Sequence, residues 1–336
     1  MFFGLLLSGL VIFFLLDILT GPVHIDPAKV FSLLFSPVDS ADELSMIVHR
    51  FRIPKTLAAV IAGSALSVSG LQMQTIFRNP LAGPYVLGIS SGASLGVALL
   101  VLTTTGLALL PADSVLGNWS VAAAAWLGAG LVLLIILMVS MRIRDIMTIL
   151  ILGILFGSIA TAIVSILQYF SNEAMLKTFV IWTLGSLGNV DTSQLLVMFI
   201  CTGTGILLSV LCIKNLDALL IGEDYAKSLG VNILITRILV FTSTSLLAGT
   251  ITAFCGPIGF IGIIVPHLAR LLFQTARHAV LIPASVLIGS CLLISADIIS
   301  QLPGSDLLMP INSVTALLGI PVVIWIVLSN KTIHMA

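Results

Sequence analysis

From Val121 to Val139 the chain carries no charge and no side chain that demands water. A run like this has no stable place in a soluble fold. It suits a bilayer, whose hydrocarbon core of about 30 Å takes roughly 20 apolar residues of helix. Leu195–Val210 is equally free of charge, and ten apolar segments can be drawn: 2–20, 56–76, 86–105, 119–141, 147–169, 193–213, 233–254, 259–274, 280–297 and 311–328. Only 8% of the 336 residues are charged, whereas a domain facing water on all sides carries about 25%. Strands are not a serious alternative, because a membrane barrel alternates polar and apolar residues. The expected fold class is all-α, a polytopic membrane protein of about ten transmembrane helices. No linker or shift in composition marks a second domain, so residues 1–336 are read as a single transmembrane domain.

Several functions drop out on composition. With a net charge of zero there is no basic stripe to neutralise phosphates, which removes nucleic acid as a partner. Cys201, Cys212, Cys255 and Cys291 all sit inside apolar blocks without a C-x-x-C pair, so they are read as small buried hydrophobes. No G-x-x-x-x-G-K-[ST] loop occurs, and the chain is not expected to hydrolyse ATP. The small residues of Leu87–Gly96 lack the lysine of such a loop and fit close helix packing instead. His267 has no second ligand three or four residues away, and the histidines are scattered. Pro266-His267-Leu268-Ala269-Arg270 therefore reads as a helix end, with Arg270 reaching to lipid headgroups. Neither a metal nor a cofactor is expected. Met1–Thr20 has no basic leader and no small-residue cleavage site, so it reads as a retained first helix.

The basic residues orient the chain. With the N-terminus cytoplasmic, nine of them fall inside (Arg78, Arg142, Arg144, Lys214, Lys227, Arg237, Arg270, Arg277, Lys331) and five outside (Lys29, Arg50, Arg52, Lys55, Lys177). Cytoplasmic loops carry the excess, so both termini are expected inside. The outer loop 21–55 is the most polar stretch. The inner segment 214–232 is mixed in charge and able to form one or two short surface helices. Gly83-Pro84 and Gly256-Pro257 punctuate two helix joints on opposite sides, as an inverted repeat would produce; chance is the competing reading. Asp17 and Asp297 lie near outer helix ends, and no carboxylate sits at mid-membrane. A carrier driven by an ion gradient would place ionisable groups there, so the driving energy is expected to come from a partner.

One ordered string of residues is more specific. It runs Arg52-Ile53-Pro54-Lys55, Ser69-Gly70, Gln74, Arg78-Asn79-Pro80-Leu81-Ala82-Gly83-Pro84 and Leu87-Gly88-Ile89-Ser90-Ser91-Gly92-Ala93. Further along come Gly256-Pro257-Ile258-Gly259-Phe260-Ile261-Gly262, Pro266-His267-Leu268-Ala269-Arg270 and Leu318-Gly319-Ile320-Pro321. Together these resemble the FecCD family, permease subunits of bacterial ABC importers for iron-siderophores, haem and vitamin B12.

The resemblance implies a type II importer fold in the inner membrane, with two permease copies, two cytoplasmic ABC ATPase subunits and a periplasmic binding protein. Arg52 and Lys55 correspond to cations that receive acidic residues of that binding protein, and they are expected to face outward. A third docking arginine is here Gln301. Asn79, Pro80 and Leu81 correspond to the cytoplasmic gate. Gly222, Ala226, Lys227, Leu229 and Gly230 correspond to the coupling helices that engage the ATPase, with Gly230 expected to end a helix in a left-handed cap. Lysine at 55 and 227 replaces the arginine frequent in the family, which removes bidentate geometry. The expected function is translocation of an iron chelate, siderophore or haem, with cobalamin as the alternative and a secondary transporter as the rival from another class.

Overall fold

In lipid every backbone amide must find its partner within the protein, and the apolar blocks meet that demand as helices. The computed structural model describes residues 2–36, 42–103, 115–143, 145–301 and 308–328. Arg144 and Lys331, part of the charge count above, lie outside these residues, as do 37–41 of the outer loop and the end of the third segment.

Eight described helical stretches are long and apolar enough to cross a bilayer. They are α1 (Phe2–Leu19), α4 (Ile53–Ile76, entered through α3, Glu43–Ile47, and a π turn), α6 (Val115–Arg142), α7 (Ile146–Phe170), α9 (Thr192–Leu211), α12 with α13 (Ile233–Thr244 and Thr250–Cys255), α15 (His278–Ser300) and α16 (Ile311–Leu328). Two more, α5 (Ile89–Val101) and α14 (Ile261–Phe273), have 13 residues each, about 20 Å at 1.5 Å per residue. All ten expected segments are therefore helical, two of them shortened. One face of the bundle carries Arg52 and Gln301, the other carries Asn79 and Gly222.

Five short described helices lie outside the apolar segments, α3 among them. Asp26 caps α2 (Pro27–Leu34), and α8 (Glu173–Leu184) is capped by Asn172, whose side chain accepts from Met175 N. With 12 residues and a charge at both Glu173 and Lys177, α8 is too short and too polar to register as a span. The other two, α10 (Ile213–Ile221) and α11 (Glu223–Ser228), realise the expected surface helices of 214–232.

The centre of the bundle is α4. It is the most buried of the eight spans and packs against α14, α15, α9 and α12. Its serines and glutamines face protein, not lipid. Gln72 illustrates this: its amide nitrogen donates to Ser209 and Ser243, and its oxygen accepts from Ser243 and Thr244. One fully buried side chain thus ties α4 to α9 and α12.

Glycines set the separation between helices. A Cβ on Gly70 would stand 1.8 Å from the carbonyl oxygen of Gly262, and one on Gly128 would stand 2.0 Å from that of Gly92. The small residues around Leu87–Gly96 do serve helix packing, as their pattern indicated. The short helices have a related origin. After α4 the chain turns back into the bundle, so that Pro84 packs on Gly262 beside Leu66. The joint before α14 meets it from the other side, where Ile258 N donates to Tyr85 Oη at 3.3 Å. Both joints begin on a glycine-rich turn, and Gly88 and Gly256 share a left-handed φ of 76° and 75°.

Gly128→Ala should lower the thermal midpoint of the purified protein in detergent, since overpacking a tight contact costs about 1–3 kcal/mol. Gly130, two residues on, has nothing within 4 Å of its would-be Cβ, and Gly130→Ala should be neutral. Equal midpoints for the two variants would contradict close backbone packing of α5 on α6.

Candidate functional site

Helix termini leave backbone groups without partners, and the Arg52 face is organised around one such end. Arg52 is 4% exposed. Its guanidinium donates to the carbonyls of Ile18 (2.8 Å) and Leu19 (3.2 Å), the last of α1, and to that of Val23. A cation at a helix C-terminus also opposes the helix dipole. The expectation that Arg52 faces outward is therefore corrected: free carbonyls beside the π turn at Val48–Arg52 draw the side chain inward.

Lys55 turns inward as well, and its side chain is 16% exposed. Its ammonium lies 2.7 Å from Asp297 Oδ2 and 3.9 Å from Asp17 Oδ1. Thr56 donates to Asp17 at 2.6 Å. The amide of Gln301 donates to both acids, at 3.1 Å to Asp17 and 2.9 Å to Asp297. Glutamine at 301 thus bonds both carboxylates at once without adding a further charge to the cluster. Among the described residues the amide oxygen of Gln301 is buried without a partner. Arg52, Lys55, Asp297 and Gln301 line a cavity of about 610 Å³, completed by Phe51, the turn 185–189 and Met309. Asp17 and Asp297 escaped the sequence reading as functional partners. The available signal was their number: two isolated acids at the helix ends that face two isolated cations.

On the opposite face α4 ends at Ile76, and Arg78 adopts a left-handed φ of 47°. Asn79 closes the turn: its side chain accepts from Leu81 N at 2.9 Å, and its own N–H donates to Gln74 O at 3.1 Å. Pro80 and Leu81 project from this turn and are exposed. Arg78 reaches across to the carbonyl of Leu219 in α10 at 3.2 Å.

The 213–230 stretch is built as α10, a break, α11 and a terminal cap. Gly222, at φ 149°, is the break between the two helices rather than their start, so the pair occupies 213–228. Ala226 is fully buried and seats α11. Glu223 pairs with Arg237 of α12 at 2.6 Å, and Asn215 donates to Thr236 at 3.0 Å. Gly230 has φ 82°; its N–H donates to Lys227 O, and Val231 N donates to Ala226 O. That is the expected left-handed cap, in the double-bonded form. Lys227, Tyr225 and Leu229 stay exposed. A cleft of about 500 Å³ separates α11 from Arg78, Asp145 and Met147. Bonds from the Thr148 hydroxyl and amide hold the Asp145 carboxyl below its ordinary range.

Two readings of the Pro266–Arg270 motif separate. Arg270 does not reach to headgroups: it is 8% exposed, and donates to Gln74 Oε1 at 2.6 Å. Gln74 passes the bond on to Ile263 O at 2.9 Å. His267 is buried with its ring against Trp325 of α16. Among the described residues no group of three or more His, Cys, Asp or Glu side chains is placed to hold a metal.

A lateral groove of about 530 Å³ runs between α5 and α7, lined by Ser91, Gly153, Gly157, Ser158, Thr161 and Ser165. The hydroxyls of Ser158, Thr161 and Ser165 donate to carbonyls four residues earlier. The groove is thus weakly polar, with the hydroxyls of these three residues already bonded within α7.

The comparisons with known proteins agree with this geometry. The profile of the FecCD transport family matches residues 9–329. The vitamin B12 import system permease protein BtuC of Klebsiella pneumoniae subsp. pneumoniae is 37% identical over 291 residues, covering 85% of this chain and 83% of that one. A provisionally assigned ABC transporter permease of Methanocaldococcus jannaschii is 32% identical, covering 93% and 92%. Among solved structures, an inward-facing conformation of a provisionally assigned metal-chelate type ABC transporter superposes with a TM-score of 0.84 at 26% identity, over 98% of each chain. A helical bundle of ten membrane segments, matched along nearly its whole length by this family and its relatives, leaves one conclusion: the chain is a multi-pass membrane protein of the FecCD transport family, an ABC-importer permease of the BtuC type.

Proposed function

We propose that this permease, a single domain over 1–336, carries a bulky metal-bearing organic complex across the inner membrane, with ATP hydrolysed by a separate subunit. The observation that carries the reading is mechanical. The exposed turn Asn79-Pro80-Leu81 and the exposed helix pair α10–α11 are bonded to each other through Arg78 and Leu219. An ATPase that grips Lys227, Leu229 and the Gly230 cap on the cytoplasmic side would then act directly on a gate formed by the turn. The complex holds two ATPase copies and two permeases, as a homodimer or with a paralogue. Both termini face the cytoplasm, following the distribution of basic residues.

The cavity beside Arg52, Lys55 and Gln301 is the docking site for the periplasmic binding protein. Lys55 is compensated by Asp17 and Asp297 and Arg52 is bonded to backbone carbonyls, so docking relies on the shape of the cavity and on Gln301 more than on free charge. The cargo class that the family resemblance suggests is an iron chelate, siderophore or haem. A second reading, cobalamin, is favoured by the relatives named as vitamin B12 permeases. The weakly polar groove on α5 and α7 suits either, because a path that bonds weakly to its cargo leaves selection to the delivery protein.

Reconstituted with its ATPase and binding protein, the permease should take up one of three labelled cargoes, ferric siderophore, haem or cobalamin, only when ATP is present. Uptake driven by a proton or sodium gradient without ATP would overturn the reading. In the same vesicles Lys55→Glu, which sets three carboxylates together, should cut uptake at least about tenfold, the equivalent of 1.4 kcal/mol. Wild-type uptake in that variant would remove the docking assignment.

Gly230→Val forces a β-branched residue into a left-handed φ, a strain of order 1–3 kcal/mol. Membrane insertion should be unchanged while the amount of ATPase that co-purifies falls. Full recovery of the ATPase with this variant would show that the cap plays no part in coupling.

A further inference from the structure

One buried histidine takes no part in the features described so far. His278 opens α15 and is 1% exposed. Three of its atoms are bonded to two other elements. Its backbone N–H and its ring Nδ1 both meet Asp217 Oδ1 of α10, at 2.9 and 2.6 Å. Its ring Nε2 lies 2.8 Å from Thr75 Oγ1 of α4. Thr75 is fully buried, and stands four residues before Asn79.

From these contacts we infer that Asp217, His278 and Thr75 form a positioning relay that carries movement of α10–α11 to the turn Asn79–Leu81. This rests on the transport reading above, and it adds residues that the family motifs did not single out.

Physical chemistry favours such a relay over a simple helix cap. A carboxylate at the N-terminus of α15 is stabilised by free N–H groups, and one carboxylate oxygen would serve as a cap by bonding the backbone alone. Here the same oxygen also takes the ring proton. A carboxylate that accepts from Nδ1 fixes the tautomer and the ring plane of the imidazole, and so points Nε2 at Thr75. Bonds from His278 hold the Asp217 carboxyl below its ordinary range although burial pushes it up. With Nδ1–H given to Asp217, Nε2 is the acceptor, and the single hydroxyl proton of Thr75, in the last turn of α4, is donated to it. The chain of bonds therefore runs from the surface helix to the last turn of α4 without a gap. It lies parallel to the Arg78 bond to Leu219, two residues from Asp217. With α10 held at both 217 and 219, tilting it must move the end of α4 as well. Arg270 and Arg277 are the other charged groups near the ring, and neither interrupts these bonds.

The first test uses the permease alone. Asp217→Ala should speed amide hydrogen exchange in 74–81 of α4 as well as in 213–221 of α10. Asp217→Asn, which keeps an acceptor oxygen, should restore most of the protection in 74–81. Faster exchange confined to α10 would overturn the relay, whatever the protein transports.

The second test uses the reconstituted complex. At equal amounts of assembled ATPase, Thr75→Val should lower cargo moved per ATP by about tenfold while ATP hydrolysis stays within about twofold. Thr75→Ser, which keeps the hydroxyl, should recover coupling. A merely structural role would lower assembly and hydrolysis together, and an unchanged ratio of cargo to ATP in Thr75→Val would refute the relay. If the wild-type complex itself shows no ATP-driven uptake, the transport reading fails, and the exchange result still decides the linkage.

Discussion

Between helices in a bilayer there is no hydrophobic force to hold them together, because lipid is as apolar as leucine. What remains is contact, and contact at backbone distance requires that side chains be missing. The rest of this structure depends on that constraint along α4. Gly63 meets Gly289 of α15, and Gly70 meets Gly262 of α14, with carbonyl oxygens where Cβ atoms would otherwise stand. Helices this close cannot slide freely, and displacement of one is passed to its neighbours.

Polar groups then decide where the bundle is rigid and where it communicates. Gln72 knits the middle of α4 to α9 and α12. At one end the cluster of Arg52, Lys55, Asp17, Asp297 and Gln301 joins α1, α4 and α15 around a cavity. Burying ions is costly unless they are compensated; here Lys55 pairs with both carboxylates and Arg52 is bonded by backbone carbonyls. At the other end the bonds of Arg78 and His278 run between α10 and the foot of α4. The exposed groups, Leu81 on the turn and Tyr225, Lys227 and Leu229 on the helix pair, stand beside this anchored region where other chains can reach them.

Much of this was legible in the sequence. Ten helices followed from the length of the apolar blocks, and the Gly230 cap followed from a glycine after a short mixed-charge segment. Family likeness was carried by the string around Asn79. Less legible was anything that depends on where a long side chain turns. Arg52 and Lys55 look like surface cations because charge ordinarily stays in water, and only the position of the α1 carbonyls and of Asp17 and Asp297 brings them inside. Arg270 was read as reaching to headgroups for the same reason, yet Gln74 holds it in the bundle. His278 and Asp217 are 61 residues apart, and no local spacing announces a bond over that distance. Helix α8 was hidden by its two charges, since hydropathy registers spans and not short helices between them.

The account's central claim is that the turn at Asn79–Leu81 and the helix pair α10–α11 form one mechanical unit. Spin labels at Leu81 and Tyr225 in one permease copy of the assembled complex would measure it, by pulsed electron paramagnetic resonance with and without bound nucleotide. The account predicts that the distance between these two labels stays constant, while the separation of Leu81 labels across the two permeases changes with nucleotide. A distance from Leu81 to Tyr225 that changes with nucleotide while the turn stays still would contradict it.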